Sequence, residues 1–339
     1  MSKILVTGAS GFIGSHTCLS LLRSNYKIIA MDNLRNSSKK SLETVSKIAN
    51  QNFEFIEGDV CNASLLRDIF KKHKITSVIH FAGLKAVGES VELPIDYFEN
   101  NVGGTIQLCK VMDEFGVRVL IFSSSCTIYG NPQDVPVTEE CPSKTPTNPY
   151  GRSKLMVEQI LSDIAKSNKD WKIALLRYFN PVGADKSGLI GEDPKGEPNN
   201  LFPYISQVAV GKLSKLKIFG NDYATHDGTG VRDYIHVTDL AEGHIAALKK
   251  ILNIDGIHAW NLGTGKGYSV MDVLRSFQDV TNIQIKYSIM PRRPGDIDKI
   301  FSNPAKANKE LGWFAKRDLR EMVNDSWKWQ SKFPNGFQE

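Results

Sequence analysis

The stretch Lys3-Ile4-Leu5-Val6-Thr7-Gly8-Ala9-Ser10-Gly11-Phe12-Ile13-Gly14 decides the fold. Lys3-Ile4-Leu5-Val6 is a short apolar run of the kind a buried parallel strand carries. Gly8, Gly11 and Gly14 follow at three-residue spacing, and Ile13, Cys18, Leu19, Leu21 and Leu22 then recur at helical intervals. A strand, a glycine turn and a helix in that order form the context a dinucleotide fingerprint requires. Glycine permits the tight turn and lets the backbone approach a pyrophosphate. The helix N-terminus adds free N–H groups and the positive end of its dipole. The spacing here is Gly-x-x-Gly-x-x-Gly rather than Gly-x-Gly-x-x-Gly.

Downstream, Lys27-Ile28-Ile29-Ala30-Met31 reads as a second strand ending at Asp32. An acidic residue about 20 positions beyond the glycines accepts hydrogen bonds from adenosine ribose hydroxyls. Its carboxylate repels a 2′-phosphate, so NAD is favoured over NADP, although Arg35 nearby pulls the other way. Phe53-Glu54-Phe55-Ile56 is a third strand, running to Gly58-Asp59-Val60, and Leu65, Leu66, Ile69 and Phe70 mark the helix after it. Ser77-Val78-Ile79-His80-Phe81 is a fourth. The small pair Ala82-Gly83 follows it, at a strand end where open α/β sheets bind ligands. His80, inside an apolar strand, reads as a core histidine. A long helix is predicted over 94–115. Val119-Leu120-Ile121-Phe122 is a fifth strand, running into Ser123-Ser124-Ser125-Cys126. Residues 130–147 are Pro-rich and loop-like, and Trp171-Lys172-Ile173-Ala174-Leu175-Leu176-Arg177-Tyr178 is a sixth strand. This alternation predicts an α/β fold, a Rossmann-type doubly wound parallel sheet, over residues 1–180.

Before the sixth strand lies Asn148-Pro149-Tyr150-Gly151-Arg152-Ser153-Lys154. Pro149 and the turn residues ahead of it start a helix that Leu155-Met156-Val157 continues. Positions i and i+4 share a helix face, so Tyr150 and Lys154 can address one bound molecule. A free phenol has a pKa of about 10. A nearby ammonium lowers it and makes the Tyr a usable base near neutral pH. Among ten tyrosines, one such pair is also compatible with chance, so its weight depends on the strands before it.

After Phe179-Asn180-Pro181 the texture changes. Residues 183–200 form a long loop rich in Gly and Pro, of the kind that is often functional. Helices near 203–210, 269–279 and 319–329, and the strand-to-helix stretch Val231-Arg232-Asp233-Tyr234-Ile235-His236-Val237, predict a smaller mixed α/β substrate lobe over 181–339. Parts of 231–260 are expected to pack back onto the first domain. Trp327 and Trp329 read as packing residues.

The chain has 339 residues, 41% hydrophobic and 23% charged, enough for a large core in one or two domains. Its formal charge of +5 is spread along the sequence, and Lys39-Lys40 and Lys71-Lys72 are too short to be a nucleic-acid or membrane tract. No apolar run approaches the roughly 18 residues of a membrane helix. The strand pattern begins directly after Met1-Ser2, leaving no room for a signal peptide. The five cysteines (Cys18, Cys61, Cys109, Cys126, Cys141) are odd in number and form no CxxC, which fits neither a disulfide framework nor a zinc site. The expectation is no metal, no nucleic acid, no membrane, and a reducing cytoplasm.

In this order, the glycine turn, Asp32, the serine strand end and Tyr150/Lys154 resemble the extended short-chain dehydrogenase/reductase family. Four further motifs are similar to its nucleotide-sugar 4-epimerase branch, over essentially the whole chain. They are Phe81-Ala82-Gly83-Leu84-Lys85-Ala86-Val87-Gly88-Glu89-Ser90, Leu175-Leu176-Arg177-Tyr178-Phe179-Asn180-Pro181-Val182-Gly183-Ala184, Pro198-Asn199-Asn200-Leu201 and Gly230-Val231-Arg232-Asp233-Tyr234-Ile235-His236-Val237. The resemblance implies NAD contacts at Gly8, Gly11, Phe12, Ile13, Gly14, Asp32, Asn33, Asn36, Ser37, Asp59, Val60, Phe81, Ala82, Lys85, Asn100, Tyr150, Lys154 and Tyr178. It implies catalytic roles for Ser125, Tyr150 and Lys154. Sugar-nucleotide contacts are implied at Ser125, Phe179, Asn180, Asn200, Leu201, Phe219, Arg232, Arg293, Asp296 and Ile300. Family dimers pair the helices around 94–115 and 150–167, which implies a homodimer. Ile300 stands where family members carry Tyr or a small residue, a position that bears on whether an N-acetyl group at C2 fits.

The implied activity is interconversion of the UDP-hexoses UDP-galactose and UDP-glucose by transient oxidation at C4, with NAD tightly bound. The hydride leaves C4, the 4-keto sugar rotates about its bond to the diphosphate, and the hydride returns to the other face. Tyr150 would accept the O4 proton with Ser125 bridging the oxygen. Arg232 and Arg293 suit the diphosphate, because guanidinium binds phosphate bidentately. A dehydratase or decarboxylase of the same fold would place Asp-Glu or Glu just after the active-site hydroxyl, where this chain has Cys126 and Thr127. A non-catalytic NAD-sensing regulator would need the glycine loop but not the Tyr/Lys pair.

Overall fold

Lys3–Thr7 forms β1, and its alternate side chains enter two separate cores. Ile4 and Val6 belong to one apolar cluster and Leu5 to another, so β1 is covered on both faces. The computed structural model describes residues 2–143, 146–293 and 295–337. Residues 144 and 145 of the 130–147 loop, and residues 1, 338 and 339 at the ends of the predicted domains, lie outside the described residues.

The alternation continues through α1 (Phe12–Arg23), β2 (Ile28–Asp32), α2 (Lys39–Ala49), β3 (Glu54–Glu57), α3 (Ala63–Lys72) and β4 (Ile75–His80). Next come α4 (Val87–Glu92), α5 (Pro94–Tyr97), α6 (Gly104–Glu114), β5 (Val119–Ser125), α7 (Pro149–Ser167) and β6 (Lys172–Tyr178). The second half holds β7 (Asn180–Val182), α8 (Leu201–Ala209), β8 (Leu216–Phe219), β9 (Val231–His236), α9 (Val237–Ile251) and β10 (Gly256–Leu262). β11 (Gly267–Ser269), α10 (Val270–Thr281), β12 (Tyr287–Met290), β13 (Lys299–Ile300), α11 (Ala305–Leu311) and α12 (Leu319–Lys332) complete it.

Seven strands form the main sheet in the order β10-β6-β5-β4-β1-β2-β3, every pair parallel. This is the Rossmann-type doubly wound order, whose switch point lies between β1 and β4. On one face α1 and α9 bury Leu19, Leu22, Leu240 and Leu248. On the other, α3, α6 and α7 bury Leu66, Leu108 and Leu161. Each such leucine contributes roughly 1.5–3 kcal/mol. As expected for part of 231–260, α9 and β10 return to the first lobe, α9 against α1 and β10 beside β6.

The second lobe has its own core, with Phe202, Ile205, Tyr234, Val273, Phe277, Met322 and Val323 between α8, α10 and α12. β7, β11 and β13 join β9 in a four-stranded sheet, and β8 pairs with β12. Capping boxes at Ser269/Asp272 and Asp318/Glu321 fix the starts of α10 and α12. The tryptophans pack as expected: Trp327 lies edge-on to Phe277, and Trp329 against Phe333 and Phe337. No helix among the described residues is long and apolar enough to cross a membrane.

One predicted element differs. The helix expected over 94–115 is interrupted by a π-helical turn, Phe98–Gly103. Asn101 explains the distortion. Its Oδ1 accepts from Leu84 N at 2.7 Å, and its Nδ2 donates to Leu84 O and to Ser153 Oγ, each at 3.0 Å. Gly103-Gly104 adds weak helix propensity. At Gly104 a Cβ would lie 2.7 Å from Val60 Cγ1, so packing there excludes a side chain.

Candidate active site

The C-terminal ends of β1, β2, β4, β5 and β6 meet at one edge of the main sheet. Gly8 has φ 69°, in the left-handed region, and a Cβ on it would sit 2.5 Å from Ala82 N. A Cβ on Gly14 would collide with Gly8 O. The turn therefore admits only glycine at these points. Gly11 is the N-cap of α1, and no side chain caps that helix. The first-turn N–H groups of Phe12, Ile13 and Gly14 are thus left for an external acceptor, a donor set that fits a pyrophosphate.

Asp32 stands at the end of β2. Its Oδ2 accepts from Ser10 N, and its Oδ1 from Leu34 N and Ser37 Oγ, each at 2.9 Å. Two carboxylate oxygens offer about four lone-pair sites, so capacity for ribose hydroxyls is left. Asn33 Nδ2 donates to Asp59 Oδ2 at 2.7 Å. Burial opposes ionisation of Asp59, but the Cys61 N–H, Asn33 and Arg35 outweigh it and hold the carboxyl below its usual range. Asn36 is exposed beside Ser37, Val60 is buried, and Ala82 is half-buried. The ring of Phe81 lies 4.8 Å from that of His244. This set of groups fits a dinucleotide with free ribose hydroxyls.

Asn148 caps α7 by accepting from Gly151 N at 2.9 Å, and Pro149 occupies the first turn. Tyr150 and Lys154 then project from one face toward β5. Tyr150 faces Ser125 closely enough for the serine to act on its phenol. Ser125 also accepts from Thr127 N at 3.2 Å and from Thr127 Oγ1 at 2.9 Å. Lys154 Nζ donates to Ser123 O at 2.7 Å and lies 5.9 Å from the centre of the Tyr150 ring. The three predicted catalytic residues are therefore brought together.

Their electrostatics depart from expectation. Burial pushes the Tyr150 phenol up to about 12, although Ser125 beside it pulls it down. Burial pushes the Lys154 ammonium down to about 8, against the pull of Glu158. The lowered phenol predicted from the Tyr/Lys spacing is not met by the chain alone, because Lys154 points at the Ser123 carbonyl and desolvation dominates. His80 behaves as the core histidine expected: its Nδ1 meets Thr7 Oγ1 at 2.7 Å and its Nε2 meets Thr105 Oγ1 at 2.9 Å. The Tyr178 hydroxyl is buried and hydrogen-bonded to His244 Nε2. Asn100 is half-exposed in the π-helical turn, beside the anchored Asn101.

Across the cleft, Phe219, Arg232, Arg293 and Asp296 gather. Arg293 stacks over Phe219 at 4.8 Å from the ring centre, and its Nε donates to Asp296 Oδ2 at 3.0 Å. Arg232 Nη2 lies 3.8 Å from Asp296 Oδ1. Ile300 pairs with Arg232 in the sheet and is buried with Val137 and Phe179. Asn180 opens β7 opposite Tyr234. Asn200 is exposed at the start of α8, where Leu201 packs into the second core. Asn200 Nδ2 and Lys85 Nζ both reach Glu192 Oε1, at 2.8 and 3.2 Å. Cys126 follows Ser125, and burial pushes its thiol up to about 12, which leaves it a poor nucleophile.

Sequence reasoning missed Glu158, Glu192, Asn101 and His244. Glu158 carried a usable signal, since it continues the Tyr150, Lys154 series at the same four-residue interval. The other three are placed by contacts between distant segments.

The sequence profile described as the NAD dependent epimerase/dehydratase family matches residues 4–263. The chain is 55% identical to a Bacillus subtilis UDP-glucose 4-epimerase over 334 residues, 98% of each chain. Among solved structures, a Bifidobacterium longum UDP-glucose 4-epimerase in complex with NAD+ and UDP superposes with a TM-score of 0.97 at 51% identity, covering 99% of this chain and 100% of that one. A Stenotrophomonas maltophila UDP-glucose-4-epimerase with bound NAD and formylated UDP-arabinopyranose gives 0.95 at 45% identity, covering 98% of each. With the glycine turn, Asp32 and the Ser125/Tyr150/Lys154 group already in place at one sheet edge, these matches make the chain a member of the NAD dependent epimerase/dehydratase family.

Proposed function

We propose that the chain interconverts UDP-galactose and UDP-glucose by inverting C4 of the hexose, with NAD held at the glycine turn. The observation that carries this is the grouping of Tyr150, Ser125 and Lys154 at the end of β5, with Cys126 and Thr127 rather than acids directly after Ser125. Bound there, NAD supplies a hydride acceptor that also returns the hydride, so none is consumed. The chain does the rest. Tyr150 takes the O4 proton and gives it back, Ser125 bridges the oxygen, and the Lys154 charge favours the phenolate. Arg232 and Arg293 hold the diphosphate end while the sugar turns over. With no carboxyl at 126 or 127 to act at C5 or C6, elimination and decarboxylation are disfavoured.

A homodimer through α4, α5 and α7 is part of this proposal. Val91 and Ile95 are 63% and 77% exposed, and Leu93 and Met156 are also exposed, a grouping of apolar side chains that suits a second copy of the chain. We assign residues 1–180 with 237–262 to the cofactor domain and the remainder to the sugar-nucleotide domain. The five free cysteines suit a reducing cytoplasm.

Incubation with UDP-galactose, with products resolved, tests this directly. UDP-glucose is expected, and denaturation should release NAD. A 4-keto-6-deoxy product or a pentose would point to a dehydratase or a decarboxylase, and no turnover with NAD bound would point to a sensor. A parallel incubation with UDP-N-acetylgalactosamine tells whether the pocket at Ile300 passes an N-acetyl group.

A further inference from the structure

Tyr150, Lys154 and Glu158 stand at four-residue intervals on one face of α7. Their partners are three consecutive residues of β5. Ser125 lies by Tyr150, the Ser123 carbonyl accepts from Lys154, and Ser124 Oγ donates to Glu158 Oε1 at 2.5 Å. Four residues of helix rise about 6 Å and two residues of strand about 6.6 Å, so the first two pairs stay in step as the helix runs back along the strand.

Glu158 is 6% exposed and unusually well held for a buried carboxylate. Arg177 on β6 donates Nε to its Oε1 at 3.1 Å and Nη2 to its Oε2 at 2.7 Å. The same guanidinium donates Nη1 to Tyr129 OH at 2.9 Å and to Glu139 O at 3.1 Å. Tyr129 OH donates to Asn261 Oδ1 at 2.7 Å, and Asn261 Nδ2 donates to Val137 O at 2.9 Å. Val137 N donates to Phe301 O, next to Ile300, at 2.8 Å. A buried pair of this kind is weak support for stability, since well-packed apolar residues often serve as well or better. Its placement one helical turn beyond Lys154 calls for another account.

We propose that Glu158 is a positioning residue for the C4 chemistry: its clamped carboxylate keeps Lys154 charged and keeps α7 in register on β5, and so keeps Tyr150 on Ser125. This rests on the catalytic role given above to Tyr150 and Lys154. The groups facing Lys154 leave Glu158 as the anion that acts on it. Tyr150 shares its helix and, in the chain alone, is kept a neutral phenol by burial. His80 on β4 is neutral, burial pushing its imidazole down to about 3. Tyr178 on β6 is held neutral by burial. From β5 come the Ser123 carbonyl and the Phe122 ring, 4.9 Å from Nζ. Gly83 after β4 adds only backbone. Burial alone drives the ammonium down, and Glu158 is the charge that opposes it.

Two substitutions separate this from a structural role, because they have opposite electrostatic signs. Glu158→Gln removes the anion and leaves the Arg177 cation unbalanced. The alkaline fall in kcat, where Lys154 loses its proton, should move about one unit to lower pH, a loss of about tenfold on that limb. Arg177→Met leaves the carboxylate unbalanced and should move the same limb to higher pH. Glu158→Asp, which keeps the charge, should leave the limb in place. Limbs that stay at the wild-type pH in both Gln and Met variants, or move in the same direction, overturn the proposal. Should either variant fail to fold, Ser124→Ala serves. It frees one oxygen of the carboxylate but keeps both charges, so kcat should fall about fivefold with KM and limb unchanged, and an unchanged kcat overturns the proposal. Turnover of UDP-galactose by wild type and its loss in Tyr150→Phe are read in parallel. If these fail, the catalytic assignment is at fault; if they hold and the limbs do not separate, only the role of Glu158 is.

Discussion

Lys85 and Asn200, which come from opposite sides of the cleft, are tied to the same oxygen of Glu192. The distances to Oε1 are 3.2 Å from Lys85 Nζ and 2.8 Å from Asn200 Nδ2. Lys85 follows β4 of the cofactor side, whereas Asn200 opens α8 of the other lobe. Glu192 itself is anchored by its backbone, whose carbonyl accepts from Trp329 Nε1 at 3.2 Å. Because the Lys85 side chain is 56% exposed, the ion pair should add little to stability. Its effect should be on orientation. Glu192→Gln is expected to raise KM for UDP-galactose about tenfold, about 1.4 kcal/mol of lost binding, with the thermal midpoint nearly unchanged. A lowered midpoint with wild-type KM would make Glu192 purely structural.

Tyr150→Phe removes the proposed proton acceptor and leaves the ring, the helix face and Lys154. Bound NAD should be retained, because the glycine turn and Asp32 are untouched. Turnover should fall at least 100-fold, within the usual contribution of a positioned acid–base group. Nucleotide released on denaturation and rates of UDP-glucose formation, measured on the same preparation, check both halves.

Arg232 and Arg293 converge on Asp296, which accepts from Arg293 at 3.0 Å and lies 3.8 Å from Arg232. Two cations around one carboxylate leave donors free for a diphosphate. That grip is the same before and during the C4 reaction, so its loss should appear in KM and not in kcat. Arg232→Ala is expected to raise KM for UDP-galactose roughly 10- to 100-fold, or about 1.4–2.8 kcal/mol. Steady-state kinetics at UDP-galactose concentrations spanning KM decide it, and an unchanged KM removes Arg232 from the site.

The first six strands were legible because each is an apolar run, the first five ending in a glycine, an acid or a serine cluster and the sixth at Asn180-Pro181, and β10 was not. In Gly256–Leu262, His258 and Asn261 interrupt the run, only the last three residues are buried, and its partner β6 lies some 80 residues earlier. In the second lobe β9 was legible at six residues, but the other strands are two to four residues long, too short to show a period. Tyr150, Lys154 and Asp32 could be found because spacing alone puts them on a face or at a strand end. Asn101 and Glu192 could not, since their partners Leu84, Ser153, Lys85 and Trp329 are brought near only by the completed fold. The phenol of Tyr150 was misjudged for a related reason: spacing reveals the Lys154 neighbour but not the burial that outweighs it.

His16, His80 and His244 are buried, and burial pushes their imidazoles down to about 4, 3 and 4. In the unfolded chain a histidine takes up its proton near pH 6.5. Between about pH 6.5 and 4 the unfolded state therefore binds more protons than the folded one. Stability is full above pH 6.5 and falls with pH through that window. The carboxylates held low, such as Asp59 and Asp185, lose their contribution only below it. The sum should be roughly a few kcal/mol, so thermal unfolding should be flat from pH 8 to 7 and drop by on the order of 5 °C or more by pH 5. A midpoint that holds steady to pH 5 would show that these imidazoles are protonated in the fold.

Val91, Leu93 and Ile95 crowd the surface formed by α4 and α5, and both helices pack against α7, from which Met156 adds a fourth exposed apolar side chain. Below them α7 carries Tyr150 and Lys154 on its buried face, so a dimer across this surface would clamp the catalytic helix from outside. Ile95 is the most exposed of the four, at 77%, and makes the least contribution to the fold of its own chain. Ile95→Asp should therefore leave the stability of the isolated chain within about 0.5 kcal/mol of wild type, while a charge buried in the interface should oppose association. Light scattering behind a sizing column is expected to give twice the chain mass for wild type and a single chain mass for Ile95→Asp at micromolar concentration. NAD content should be retained, because the glycine turn lies on another edge. A variant that still elutes as a dimer would move the interface away from α4 and α5, and a wild type that elutes as a monomer would remove it.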